Sequence, residues 1–515
     1  MIVIIHNNKK ALAVLNQDLQ SINYALQLNE TLLQTVLNLA KTHPYELLVW
    51  CHQVFKDHLN IEAFSEIFHH KCVLASFNPS HIEYLPKQIG YIERSFYLKI
   101  NKERTFATWL MSDSVGGIFS STFLKFETII NSKNDFNYVL NSIARMANTE
   151  GLFCYSEPKL LKKNIEFSIK QATTRTLFQF VKQHYKWVWT WYLLLSYMLF
   201  EKQFPFFPFL SALFFSQKQV HFNLGDINIK STKKVVIDRE IDAIIPTIGR
   251  KRYLLDVLKD FTSQTVLPKR IIIVEQNPDP ESVSELDFLN EEWPFQIIHH
   301  FTHQAGVVNA RNLALSEVKS EWVFFGDDDN RFQSDLIENL FNAIEQYGVK
   351  VGITVYLQPK EVQTYTKTAQ TSIFGAGNAI LKSELLKEVS FNERYEFNYG
   401  EDTDFGMQLR RLGEDVVFFA DIKITHLKAP IGGYRTKVKQ LWDDDAIKPK
   451  PSPTIQLLYK NYFTNQQLLG YKLLLCVRNL KSRGFKNPIA FIKNYKKQWE
   501  RSEYWSEQLI KSSND

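Results

Sequence analysis

The stretch Trp322 to Asn330 reads W-V-F-F-G-D-D-D-N: an apolar run of strand length ends at Gly326 and Asp327, Asp328 and Asp329 follow at once. Crowded carboxylates repel one another, so three in a row at the end of a buried strand call for a bound divalent cation or for a solvated turn. In an extended segment residues two apart share a side, which groups Asp327 with Asp329 and sends Asp328 elsewhere. A chain that can use such a group delivers buried strands to a common edge. That is the property of a mostly parallel α/β sheet, whose ligands lie at the carboxyl ends of its strands.

The surrounding sequence has this rhythm. Ile241 to Ile245 reads as a strand ending in Pro246-Thr247-Ile248-Gly249-Arg250, and an amphipathic helix follows through Leu254, Leu255, Leu258 and Phe261. Arg270 to Val274 is a second strand, ending at Glu275-Gln276-Asn277, and Phe295 to His299 a third. Gly306 to Ser316 reads as a helix carrying Asn309, Arg311 and Asn312, ahead of the strand that delivers the triplet. Thr247, Glu275 and Asp327 all fall just past strand ends.

Three later features share the logic of a site. Gly375-Ala376-Gly377-Asn378 sets small residues ahead of an apolar run, where backbone can approach a ligand closely or simply turn. Gly400-Glu401-Asp402-Thr403-Asp404 places carboxylates at a helix N-terminus, suited to capping or, if one reaches a substrate hydroxyl, to general base catalysis. His426 ends a further strand before Gly432-Gly433-Tyr434-Arg435, and a neutral imidazole there can complete a metal site. Hard oxygen ligands suit Mg2+ or Mn2+, ions that neutralise charge on a diphosphate leaving group.

In order and spacing, the segment from about 238 to 430 resembles family 2 glycosyltransferases of the GT-A fold. The motifs are I-I-P-T at the first strand end, Arg270 to Asn277, A-G-V-V-N-A-R-N-L-A, F-F-G-D-D-D, G-A-G-N-A-I-L and G-E-D-T-D-F. The resemblance implies that Thr247, Glu275 and Arg311 line a nucleotide pocket and that Asp327 and Asp329 carry a metal diphosphate. It further implies that His426 is a metal ligand and that Asp402, beside Glu401, is the base. Pro246, Arg250, Asn277, Asp328, Gly377 and Asn378 belong to the same motifs and are expected on the donor side. The implied reaction is inverting transfer of a sugar from a nucleotide sugar, a UDP-sugar by family precedent, to a glycan or lipid-linked acceptor in surface glycan or polysaccharide synthesis. Glu275-Gln276-Asn277 departs from the Asp-Asp-Gly-Ser of many members, which leaves the base preference open.

The expected domains are 1–165, a smaller α/β domain; 166–232, an aromatic-rich helical connector; 233–430, the GT-A domain; and 431–515, a basic helical region. In the first, Ile2 to Ile5, Glu46 to Cys51 and Cys72 to Ser76 read as strands, Gly116-Gly117 as a turn, and His69-His70-x-Cys72 as a strand edge. Gly117 to Lys125 echoes Ile373 to Lys382, either by chance or because the first domain is a degenerate, non-catalytic duplicate. In the connector, the uncharged run Trp187 to Phe200 and the Pro-interrupted run Phe204 to Phe215 are too short to span a bilayer. They suit either packing between domains or a membrane interface. Between Lys472 and Lys497 eight basic residues and no acid occur, a pattern of a solvated face or of contact with anionic lipid.

The balance of 61 basic against 55 acidic residues is too even to argue for nucleic acid. Four widely spaced cysteines without a CxxC pair, and an N-terminus lacking a basic segment and a cleavage site, lead us to expect a cytoplasmic protein, peripheral at the inner face of the plasma membrane if it meets lipid. A metal-dependent nucleotidyltransferase or phosphodiesterase is the alternative enzyme class. A pyrophosphorylase, though, would carry a Gly-rich basic loop where Pro246 to Arg252 has one glycine. A glycan-assembly scaffold is the non-enzymatic alternative, disfavoured by the intact Asp327, Asp329 and Asp402.

Overall fold

The computed structural model describes residues 1–27, 29–163, 165–430, 438–482 and 487–511. They form two compact units: Met1–Lys233 with Phe463–Lys472, and Lys234–Tyr462 with the chain from Leu473 onward. The motif Gly432-Gly433-Tyr434-Arg435 and the basic residues Arg483 and Lys486 lie outside the described residues.

The first unit holds β1 (Ile2–His6), β2 (Ala11–Leu15), β3 (Leu47–His52), β4 (Val73–Phe77), β5 (Phe106–Ala107), β6 (Val115–Phe119) and β7 (Phe153–Ser156), in sheet order β2-β1-β3-β6-β4-β7-β5. β1, β3 and β4 are buried along their whole length, as strands covered on both faces must be, and their sequences are nearly continuous apolar runs. One expectation is corrected here. Gly116 and Gly117 lie in the middle of β6 rather than in a turn. Aromatic side chains close over both of them: a Cβ on Gly116 would stand 2.5 Å from Trp50 Cζ2 and one on Gly117 2.8 Å from Phe68 Cζ. Glycine is therefore required by close approach, not by chain reversal. His69 and His70 are buried, and His69 Nδ1 lies 2.8 Å from Ser231 Oγ.

The second unit carries β8 (Ile241–Thr247), β9 (Arg270–Gln276), β10 (Gln296–Thr302), β11 (Trp322–Gly326), β12 (Asn330–Arg331), β13 (Val351–Leu357), β14 (Ala369–Gln370), β15 (Asn378–Lys382) and β16 (Val417–His426). The order is β10-β9-β8-β11-β15-β13-β16-β12, with β14 paired to β16. β8 to β11 run parallel, as expected for a GT-A sheet. At the amino end of this sheet Asp242, fully buried, binds Arg270 Nε at 3.1 Å and accepts from Lys319 N, Ser320 N and Ser320 Oγ. A buried charge so completely paired ties β8, β9 and the loop before β11 into one register. On the other face the rings of Phe325, Phe374, Phe391 and Phe405 interlock, with Phe391 and Phe405 stacked at 4.4 Å. Phe325 is the last bulky residue before the triplet, and Phe405 lies one turn past Asp402. The cluster therefore fixes the Glu401–Arg411 helix against the strand that bears the aspartates.

The two sheets share one wiring. β1, β3, β4, β5, β6 and β7 correspond, in chain order and in partners, to β8, β11, β13, β14, β15 and β16. Each sheet has a strand (β6 or β15) antiparallel to both neighbours, and each has a short strand (β5 or β14) antiparallel to the last long one. The sequence echo does not share this register: Gly117 to Lys125 covers the end of β6 and the helix Ser120–Leu124, whereas Ile373 to Lys382 covers the segment before β15 and β15 itself. The acids are not duplicated. β3 runs into Gln53-Val54-Phe55 where β11 runs into three aspartates, and the helix Phe136–Ala147, between β6 and β7 and capped by Asp135, opens Phe136-Asn137 where the one between β15 and β16 opens Glu401-Asp402.

The connector holds three helices, Thr174–His184, Val188–Ser196, prolonged by a wider turn through Glu201, and Phe206–Leu213. Leu193, Leu194, Tyr197, Phe209 and Ala212 join the core of the first unit. Among the described residues no helix is long and apolar enough to cross a membrane. The last helix, Pro488–Lys511, buries Phe491, Tyr495, Trp499 and Leu509 along one stripe and leaves Lys493 and Lys496 outside.

Because Trp50 is fully enclosed and the other close neighbours of Gly116 are the Ala75 carbonyl and Ser76 Cβ, none yields easily to an added methyl. Gly116→Ala should lower stability by about 1–3 kcal/mol, read as an earlier midpoint in urea unfolding.

Candidate active site

The carboxyl ends of β10, β9, β8 and β11 meet at one edge, and the triplet leaves from it. Its three members divide. Asp328 turns inward, 2% exposed, and accepts from Thr247 Oγ1 and from Arg250 Nη1, each at 2.7 Å. Burial pushes its carboxyl up to about 7, against the pull of Arg250 and Thr247. The triplet leaves β11 through a turn rather than as an extended segment, with Asn330 N on Asp327 O at 3.4 Å and Asp329 as buried as Asp328.

Asp329 Oδ2 accepts from Ala429 N at 2.8 Å, while its Oδ1, also buried, faces His426 Nε2 at 3.4 Å and accepts no hydrogen bond. Burial opposes the charge on Asp329, but His426, the Ala429 amide and Arg250 outweigh it and hold the carboxyl below its ordinary range. The His426 imidazole is raised in turn, by Asp329 first, against its own burial. Asp327, Asp329 and His426 each offer a ligand atom within 4.8 Å of the others. Two carboxylates and an imidazole converging on a buried, unsatisfied oxygen are a donor set that fits a divalent cation of the Mn2+ or Mg2+ type.

Tyr356, near the end of β13, closes the group from the side. Its hydroxyl lies 2.8 Å from Asp327 Oδ2 and 2.7 Å from Asn330 Oδ1, so its single proton serves one at a time, and its ring stacks on His426 at 4.6 Å. Nothing in Val355-Tyr356-Leu357 marks it in the sequence; only the parallel pairing of β13 with β16 brings it to His426. Gly377 abuts Asp327, where a Cβ would fall 2.1 Å from Oδ2, and its carbonyl accepts from Asn330 Nδ2 at 2.7 Å.

Arg311, 7% exposed in the Val307–Ser316 helix, joins this group to the second acidic cluster. Nη2 lies 3.5 Å from Asp327 Oδ1 and Nη1 3.5 Å from Asp402 Oδ1, with the guanidinium 5.3 Å above the Phe391 ring. Asp402 Oδ2 also faces Ala376 N at 3.5 Å. Burial raises the Asp402 carboxyl to about 7; Glu401 and Asp327 add to the rise, and Arg311 and the Ala376 amide oppose it. About a third of the side chain still reaches water, so the group is both perturbed and accessible. Glu401, beside it, is buried.

Other residues expected on the donor have different surroundings. Asn378 is buried and donates to Thr354 O at 2.7 Å, and Asp328 is enclosed as described, so both are hydrogen-bonded within the protein. Glu275 is engaged by Ser284 Oγ at 2.5 Å and His299 Nε2 at 3.0 Å. Asn277 Oδ1 closes a local turn onto Asp279 N, and Pro246 precedes Thr247 at the end of β8. Two residues missed in the sequence organise the helix that bears Arg311. Gln276 pairs with Gly306 through both its amide atoms, and Glu396 accepts from Val308 N and Asn309 N at the helix N-terminus. A carboxylate is favoured there by the helix dipole.

The family model for Glycosyl transferase family 2 matches residues 242–407, from the buried aspartate of β8 through the helix of Asp402. An uncharacterized glycosyltransferase of Haemophilus influenzae is 26% identical over 165 residues, covering 29% of this chain and 55% of its own. Glycosyltransferase YwdF of Bacillus subtilis, also uncharacterized, is 33% identical over 106 residues, 21% of this chain and 38% of its own. Glycosyltransferase GlyA of Streptococcus pneumoniae serotype 4 is 25% identical over 122 residues, 24% of this chain and 17% of its own. The chain thus spans about half or less of the length of these relatives. Among solved structures, S. aureus TarS 1-349 in complex with UDP-GlcNAc aligns with a TM-score of 0.34 at 17% identity, over 47% of this chain and 66% of that one. GalNAc-T7 with UDP, GalNAc and Mn2+ aligns at 0.30 and 12%, over 39% and 44%. With the motifs in order on this sheet and the family model spanning them, residues 242–407 are a family 2 glycosyltransferase domain.

Proposed function

We propose that the second unit transfers a sugar from a nucleotide-sugar donor, a UDP-sugar, to an acceptor hydroxyl with inversion, in surface glycan or polysaccharide synthesis at the cytoplasmic face of the plasma membrane. The observation that carries this reading is Arg311. One buried guanidinium stands 3.5 Å from Asp327 in the cation group and 3.5 Å from Asp402 at the helix N-terminus. It holds the two poles that a group transfer between diphosphate and hydroxyl requires, a binding place for the leaving group and a base.

Asp327, Asp329 and His426 would hold the Mn2+ or Mg2+. Such a cation, when bound, neutralises the charge that accumulates on a departing nucleoside diphosphate. The chain's own residues do the rest. Asp402, ionised, takes the proton of the acceptor hydroxyl as that oxygen attacks the anomeric carbon, and the bond to the diphosphate oxygen breaks on the opposite side. Arg311 lowers the cost of keeping Asp402 ionised beside Glu401 and Asp327, and Tyr356 orients Asp327 through a hydrogen bond. A single displacement of this kind inverts the anomeric configuration. Gly377 leaves Asp327 room that any side chain would take. The first unit, with Asn137 and Gln53-Val54-Phe55 in the corresponding places, is proposed to serve acceptor binding or assembly rather than a second reaction.

A panel of nucleotide sugars with Mn2+ or Mg2+, scored for donor hydrolysis and thermal stabilisation, tests the class; no response across the panel would favour a scaffold. Asp402→Asn should cut transfer by roughly a hundred- to ten-thousandfold while leaving donor affinity, measured by calorimetry, nearly unchanged. As the base works in its ionised form and burial raises its carboxyl, kcat/KM should climb with pH through about 7 and level off above it. A limb in the ordinary carboxylate range would remove Asp402 from the role. Chelation should abolish turnover, and Asp329→Ala should raise the Mn2+ concentration needed to restore it by at least about tenfold.

A further inference from the structure

We infer that the paired helices Val188–Ser196 and Phe206–Leu213 of the first unit are a wedge that inserts into the headgroup and upper acyl region of an anionic phospholipid bilayer. The inference rests on the proposed placement at a membrane, and names the element that makes the contact.

The inward side of this pair is already spent. Leu193, Leu194, Tyr197, Phe209 and Ala212 are buried in the core of their unit. The outward side remains apolar and is not covered by it: Trp187 is 65% exposed, Phe204 59%, Phe207 81% and Phe214 90%. These side chains are not scattered. Ring contacts run from Phe204 to Phe206 and on to Phe207, and Trp191, half exposed, packs on Phe209. A contiguous patch of large apolar side chains on this scale marks an interaction surface.

Length, charge and residue type select the partner. Helices of nine and eight residues are roughly 12–14 Å long, under half of a hydrocarbon core of about 30 Å. They can enter one leaflet and no further. Between residues 167 and 225 the only acid is Glu201, against the basic residues Lys170, Arg175, Lys182, Lys186, Lys202 and Lys218. Glu201 accepts from Tyr91 Oη at 2.6 Å, so its charge is partly engaged, while Lys186 and Lys202 stand exposed or near-exposed at the two ends of the first helix. An apolar face with Trp and Phe, flanked by cations and almost without acids, matches the boundary of an anionic bilayer. A protein partner would ordinarily find about one hydrogen bond per 100–200 Å2, and the outward side chains here are nearly all hydrocarbon. The Pro488–Lys511 helix differs in this respect. Its aromatic residues Phe491, Tyr495 and Trp499 are buried within the second unit, and its exposed Ile489 and Ile492 lie among lysines without a continuous aromatic face.

The test is flotation of the full chain with vesicles of phosphatidylcholine alone and of equal parts phosphatidylcholine and phosphatidylglycerol. Phe207→Asp with Phe214→Asp alters two side chains that contribute almost nothing to the core, and circular dichroism and donor hydrolysis should remain as in the unaltered protein. We expect the unaltered chain to float with the anionic vesicles, less with the neutral ones, and the double variant to lose at least about tenfold in bound fraction. Flotation of the double variant at the original level would overturn the wedge. So would loss of flotation on Lys493→Glu with Lys496→Glu alone, though membrane placement would then stand. If neither vesicle binds the unaltered chain, wedge and membrane placement both fall while the transfer reaction is judged separately by its turnover. A dimer in light scattering that the double variant converts to monomer, without vesicle binding, would assign the face to a second copy of the chain.

Discussion

Everything at the candidate site depends on one aspartate being turned the wrong way for chemistry. Asp328 is held on Thr247 and Arg250 within the turn that follows β11, and that turn, closed by Asn330 N on Asp327 O at 3.4 Å, lets Asp327 and Asp329 reach His426 together. Three adjacent carboxylates would otherwise spread apart in water. Burial removes the middle one from the competition by raising its carboxyl toward neutrality, while Arg250 also reaches Asp329 at 3.4 Å. The repulsion expected from the triplet is thus answered from beneath by a guanidinium, leaving the outer face ready for a cation.

The second constraint is mechanical. The proposed reaction needs a base and a leaving-group site a fixed distance apart, and Asp402 and Asp327 come from segments some seventy residues apart in sequence. The Phe325–Phe374–Phe391–Phe405 cluster locks the Asp402 helix to β11, and Arg311, lying over Phe391, spans the gap between the carboxylates. Gln276 and Glu396 fix the start of the helix that supplies Arg311. The charged groups that act are few, and each is positioned by neighbours that are themselves buried.

The first unit repeats the wiring of the second without its acids. A sheet topology survives such loss because it is held by buried strands and by glycines such as Gly116, whose place is set by Trp50, whereas the carboxylates at a strand end contribute nothing to that core and are costly to keep close together. What the first unit has instead is an outward aromatic face on the helices Val188–Ser196 and Phe206–Leu213.

Much of this was legible beforehand. β8, β9 and β11 begin where the apolar runs start, since strands buried on both faces write themselves as continuous hydrophobic sequence, and the edge strand β10 begins within a residue of its own run. The triplet, Arg311, Asp402 and His426 could be named from residue type and order, because cations and proton transfer admit few side chains. Tyr356, Gln276 and Glu396 could not, as each acts only through a partner brought near by strand pairing or by a helix terminus in space. Gly116-Gly117 read as a turn because the aromatics that exclude side chains there arrive from β3 and from Phe68, far away in sequence. Local pattern determined which segments are buried and which residues could do chemistry; tertiary structure alone decided which aspartate faces inward and which carboxylates share Arg311, since those depend on distances between segments that no spacing along the chain encodes.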